Sequence, residues 1–234
     1  MININIMKER FFPALVVALG IALSGLFIYM GIHQFTYRDR AVTVKGLSTR
    51  DVQADYVVWP LKFSVSGNDL TSLSAELNRV EQTARTFFVN KGFNNEELTL
   101  SNIEVENNWA GYYEHRPEFH YTVSRSLIIS TADVERVIAN QGCQAELLNQ
   151  GVILQSYAWN TDYQYRGLSE LKPEMIEEAT KNARAVAQKF ADDAQCRLGS
   201  IRNASQGQFS VDADNNQPWL MHVRVVTTVD YYLK

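Results

Sequence analysis

The chain has 234 residues, 22 Lys+Arg against 26 Asp+Glu, two Cys and an aromatic fraction of 11%. That length suits one or two compact domains, and the aromatic content excludes a disordered chain. A net charge of −4 argues against nucleic acid as a partner, and two cysteines exclude a disulfide framework or a four-Cys zinc site.

Residues 11–32 (FFPALVVALGIALSGLFIYMGI) carry no charge. As a helix they would reach ~33 Å, enough for a hydrocarbon core of ~30 Å. A cleaved signal peptide would have a shorter apolar run of ~7–15 residues and a small-x-small cleavage site. Gly31-Ile32-His33-Gln34-Phe35 offers no such site. A buried core helix fits poorly, because no polar face interrupts the run. The expectation is an uncleaved single-pass anchor over 11–32, preceded by a short tail (1–10) and followed by a tether (33–40). Lys8, Arg10 and the amino terminus nearly balance Arg38, Arg40 and Lys45 across it. A short basic tail before an apolar segment resembles an export signal, so residues 41–234 are expected outside the cytoplasm.

Residues 41–50 alternate as a half-buried strand, with Val42 and Val44 on one face. In 55–66, Trp59, Leu61, Phe63 and Val65 share a face, and Pro60 predicts an edge or a bulge. Leu70, Leu73, Leu77, Val80, Ala84 and Phe87 then step by three or four, which is one helix face over 69–91. Asn68 or Asp69 can cap its start and Gly92 its end. Residues 97–107 and 119–129 alternate again around the loop NWAGYYEHRPE, which predicts a long hairpin. A second helix begins at 130–133 and ends at Asn149-Gln150-Gly151, before a strand over 152–163. The third helix spans 171–195, with Pro173 in its first turn, a stripe of Ala179, Ala183, Ala187 and Ala191, and a Glu177–Lys181 pair. Gly199 closes the segment. Strands over 200–210 and 219–232 finish the chain, the last with Met221, Val223, Val225, Thr227, Val229 and Tyr231 on one face.

The predicted order is ββαββαβαββ: an α+β body of antiparallel or mixed sheets packed with three helices, preceded by the transmembrane helix. Helix–Lys91-Gly92-Phe93–strand recurs as helix–Gln150-Gly151-Val152–strand, a weak internal echo. No Gly-, Pro- or Ser-rich linker divides the body.

Several stretches taken together resemble the SIMPL-domain family of bacterial exported or membrane-anchored proteins. They are Val42-Thr43-Val44-Lys45-Gly46, Gln53-Ala54-Asp55, Asn90-Lys91-Gly92-Phe93 with Glu97-Leu98-Thr99, and Glu178-Ala179 with Ala183, Ala187 and Leu198-Gly199. The family often has Pro-Asp where this chain has Ala54-Asp55. The resemblance covers about residues 40–234. It implies a bacterial envelope protein with no agreed enzymatic activity; with the expected anchor, the body would lie on the periplasmic side of the bacterial inner membrane. It also implies a link to stress tolerance in some members, and ring- or channel-like homo-oligomers.

A search for chemistry finds little. His115 and His120 with Glu114 or Glu118 could supply zinc ligands for a hydrolase, but their spacing matches neither His-Glu-x-x-His nor a zinc finger. His222, beside Arg224 on the less apolar face of the last strand, reads as a surface or rim residue. There is no Gly-x-Ser-x-Gly, Gly-x-Gly-x-x-Gly or Walker loop, so no nucleophile elbow and no nucleotide cofactor is expected. No metal and no other cofactor is called for. Two readings of Cys143 and Cys196 stay open: a bridge closing about 54 residues, worth roughly 4 kcal/mol in the chain-entropy model, or two separate thiols.

Trp109, Tyr112, Tyr113 and Phe119 crowd a polar loop, where burial within one domain is difficult. They are expected to form a subunit contact. Tyr157, Trp159, Tyr163 and Tyr165 fit ordinary core packing better. The sequence therefore favours a membrane-tethered, self-associating, non-enzymatic envelope protein. The alternatives are a ligand- or peptide-binding module with a groove between sheet and helices and, less favoured, the metal-dependent hydrolase.

Overall fold

The computed structural model describes residues 4–37, 40–110, 117–155 and 160–234; in the first helix, side chains are described for residues 15–31. That helix, α1 (Ile4–Tyr37), is 34 residues long and contains the whole predicted span. Its described apolar side chains, Leu15 to Met30, are exposed. Ser24 satisfies its hydroxyl by donating to the Gly20 carbonyl at 2.8 Å. Among the described residues no helix is long and apolar enough to cross a membrane.

The chain is α+β. It continues with β1 (Ala41–Gln53), β2 (Tyr56–Gly67), α2 (Leu70–Asn90), a 3-10 turn (Asn95–Glu97), β3 (Leu98–Leu100), β4 (Glu104–Asn107) and β5 (Tyr121–Thr131). Then come α3 (Val134–Asn140), α4 (Gln144–Leu148), β6 (Asp162–Gln164), α5 (Leu168–Asp193), β7 (Leu198–Gln206), β8 (Ser210–Ala213) and β9 (Leu220–Leu233). One sheet has the order β1-β9-β7, with β8 also on β9; the other has β3-β5-β2-β6, with β4 also on β5. Contacts gather into two compact units, each built from separated stretches of chain. Neither unit is a continuous segment, which is why no linker composition marks a boundary.

The first unit takes Met1–Ser48, Pro173–Phe209 and Arg224–Lys234. Its core is the alanine stripe of α5, fully buried as its spacing predicts, with Val44, Val229 and Tyr231. Small side chains let the helix backbone approach the strand closely. A Cβ placed on Gly46 would fall 1.8 Å from the Ala179 carbonyl oxygen. Ser48 Oγ donates to Glu178 at 2.8 Å and Asn182 Nδ2 to the Leu47 carbonyl at 2.8 Å, which fixes the helix along β1.

The second unit takes Thr49–Lys172 and Ser210–Val223. β2 and β5 pair antiparallel from Val57↔Thr131 to Gly67↔Tyr121. The alternation in β2 buries Val57, Trp59, Leu61 and Phe63. α2 covers that face with Leu73, Leu77, Val80, Ala84, Phe87 and Phe88. Phe88 meets Trp59 and Phe93 edge-on, with ring centroids 5.6 and 5.8 Å apart. Asp69 caps α2 by accepting the Ser72 N–H at 2.8 Å.

Several expectations need correction. Pro60 lies in unbroken register with Ile128, so β2 has no bulge there; on its other flank, β6 pairs only with Tyr56–Val58 and has ended before Pro60. The strand predicted over 97–107 is a 3-10 turn and two short strands, interrupted where Ser101 bonds to β5 through its backbone and side chain. The second helix is two helices, broken at Gln141–Cys143 beside Gly142, whose helix propensity is poor. The strand predicted over 152–163 reduces to a bridge at Leu154 and the three residues of β6; 156–159 lie outside the described residues. Pro173 is inside α5, not in its first turn. The start of α5 is set instead by Asp55, whose carboxylate accepts the N–H groups of Arg166 and Gly167 at 2.8 and 3.0 Å.

The echo around Gly92 and Gly151 has a geometric basis. Each glycine has positive φ (94° and 78°), and in each case two reversed hydrogen bonds close the helix. They are Phe93 N to Phe88 O with Gly92 N to Val89 O, and Val152 N to Leu147 O with Gly151 N to Leu148 O. α5 ends the same way, but with Gln195 at φ 54° in the glycine position and Cys196 N bonded to Ala191 O. The helix is therefore closed at Gln195 and not at Gly199.

Candidate functional site

The β4–β5 hairpin carries most of the residues that the sequence singles out. β4 pairs with β5 through Glu104↔Ser124, Val105↔Val123, Glu106↔Thr122 and Asn107↔Tyr121. Asparagines then organise the start of the loop. The Asn107 side chain accepts the Trp109 N–H at 3.0 Å, and Asn108 N donates to the His120 carbonyl at 2.8 Å. Asn108 Nδ2 also donates to the Phe119 carbonyl and to Thr122 Oγ1.

Trp109 is half-buried, and its Nε1 donates to the Pro117 carbonyl at 2.9 Å. Its ring stacks on His120 at 4.0 Å, and His120 stacks on Tyr121 at 3.8 Å. The backbone N–H of His120 donates to Asn68 at 2.8 Å, tying the stack to the end of β2. On the same hairpin, Phe119 is 42% exposed, Val105 57% and Ile103 48%. All four residues of β4 are exposed. Lys62 bonds Glu104 at 2.7 Å and is the main reason its carboxyl lies below the usual carboxylate range.

Trp109 and Phe119 are thus brought to one hairpin; Tyr112 and Tyr113 lie outside the described residues. So do Glu114 and His115 of the metal reading, while His120 is held between two rings. Among the described residues no group of three or more His, Cys, Asp or Glu could hold a metal. Cys143 and Cys196 are free thiols, the first buried and the second half-buried. Burial pushes the Cys143 thiol up to about 11.

Two features were not legible in the sequence. His222 has acidic partners at both ring nitrogens: Asp51 at 2.6 Å from Nδ1 and Asp214 at 3.4 Å from Nε2. Asp51 first, then Asp214, raises its pKa above the ordinary imidazole value. The second feature is an open cleft of about 570 Å³ in the second unit. It is bordered by Gln53 and Ala54, by Asp133 and Glu135 at the start of α3, and by Ile138 and Trp219. Both need chain pairings more than a hundred residues apart, which no local motif encodes.

The family model of SIMPL, described as a protein of unknown function (DUF541), matches residues 42–228. The chain belongs to the SIMPL family. No curated protein matches it. The resembling stretches take structural roles in this SIMPL chain. Gly46 permits the close approach of α5, Asp55 caps α5, Gly92 ends α2, and Glu97 accepts both the Asn94 N–H and the Thr131 hydroxyl.

Proposed function

We propose that this SIMPL protein is a non-enzymatic protein of the bacterial cell envelope, anchored in the inner membrane by α1, with its body in the periplasm, where it self-associates. The observation that carries the reading is the exposed apolar residues Ile103, Val105 and Phe119 on a hairpin whose outer strand has no buried residue. An edge strand of this kind offers unpaired backbone groups next to apolar side chains, which suits addition to a second copy. The charge-free segment 11–32, inside one continuous helix, supports the anchor. A role in stress tolerance is part of the same reading and rests on family resemblance.

Fractionation of cells making the full chain tests the location. The intact protein should stay with membranes after a carbonate wash, and external protease should reach the body only once the outer barrier is opened. Full-length protein recovered in the cytosol would contradict the reading. A second reading, a ligand- or peptide-binding module, is favoured by the cleft beside Trp219. Native mass spectrometry of protein purified under mild conditions should then show a co-purified small molecule.

A further inference from the structure

His222 joins three separate stretches of the second unit. It is on β9; Asp51 is near the end of β1; Asp214 lies in the turn between β8 and β9. Asp214 is itself part of that turn, because its Oδ1 accepts the N–H groups of Asn216 and Gln217 at 2.8 and 2.9 Å. Its other oxygen faces His222 Nε2, while Asp51 faces Nδ1. A carboxylate has no proton to donate, so the two contacts are both hydrogen bonds only when the imidazole donates at both nitrogens. Only the imidazolium can do so. The neutral ring has one N–H and must turn a lone pair toward one of the two aspartates.

We propose that His222 is a protonation-dependent latch, which in its charged form ties the β8–β9 turn to the end of β1 and on losing its proton releases the turn. The short Asp51 contact keeps the remaining N–H, and the longer Asp214 contact is the one given up. Two further charged residues belong to the same hairpin, Asp212 on β8 and Arg224, two residues along β9. Asp214 N donates to the Leu220 carbonyl at 2.8 Å, a pairing that puts Asp212 opposite His222 in the hairpin. The His222 side chain is 45% exposed, so its proton exchanges freely with solvent. The same turn ends at Trp219, whose carbonyl accepts the Ala54 N–H at 2.7 Å and which borders the cleft. Release of the turn therefore loosens one wall of that cleft.

The test uses the full chain in detergent micelles with ring-labelled histidine, the His222 signal being assigned by its loss in H222Q. Its titration midpoint should lie above that of free imidazole, and D51N and D214N should each lower it. Hydrogen exchange at Asn216 and Gln217, corrected for intrinsic rates, should show protection falling about two- to five-fold through the same pH range. In H222Q that step should vanish. A midpoint at or below the free value, a shift in only one aspartate variant, or an unchanged protection step in H222Q would each overturn the latch.

Discussion

Gln195 closes α5 in a backbone conformation that glycine adopts without strain and other residues do not. Gln195→Gly should therefore stabilise the chain by ~1 kcal/mol, read as a shift in denaturant midpoint at unchanged slope. An unchanged or lower midpoint would mean that the glutamine side chain contributes more than the strain costs. The two cysteines should differ in the same direct way. At pH 8, alkylation of the native chain should modify Cys196 first. Cys143, buried and with its thiol pushed up to about 11, should react only after unfolding. Equal labelling of both in the native chain would contradict that placement. His222 fixes the sign of one pH dependence. Its folded pKa is raised, so its contribution is complete below the ordinary imidazole value and is lost as pH rises through the folded value. Asp69 and Glu104 act in the opposite direction: their lowered values give stability above the usual carboxylate range, lost as pH falls.

At the scale of elements, the contact between α5 and β1 is the most restrictive. Gly46→Ala should destabilise the chain by ~3 kcal/mol, because the added methyl meets helix backbone that cannot move aside as a side chain would. Thermal unfolding measures this, and a loss below ~0.5 kcal/mol would show that α5 can shift along its stripe. The elements legible in the sequence were those set by one long periodicity. α2, α5, β2, β5 and β9 each repeat one face over many residues, so burial follows spacing. The misreadings came where a distant partner decides. Asp55 fixes the start of α5 more than a hundred residues away, and Ser101 breaks the predicted strand by bonding across to β5. Aromatic crowding pointed to the hairpin, but nothing local announced that Trp109 would stack on His120, or that His222 would face Asp51 and Asp214.

For the whole molecule, assembly is the property on which the functional reading turns. The hairpin offers apolar side chains that its own domain leaves in solvent, next to the stack of Trp109, His120 and Tyr121. Val105→Lys with Phe119→Ser should then weaken assembly at least ten-fold while leaving the unfolding midpoint within ~0.5 kcal/mol, since both residues are exposed in the single chain. The most direct measurement is the protein mass of the detergent-extracted full-length particle by sedimentation. The account predicts a defined multiple of 26.6 kDa that falls toward one chain in the double variant. A single 26.6 kDa chain at the highest concentration reached, in wild type and variant alike, would contradict it.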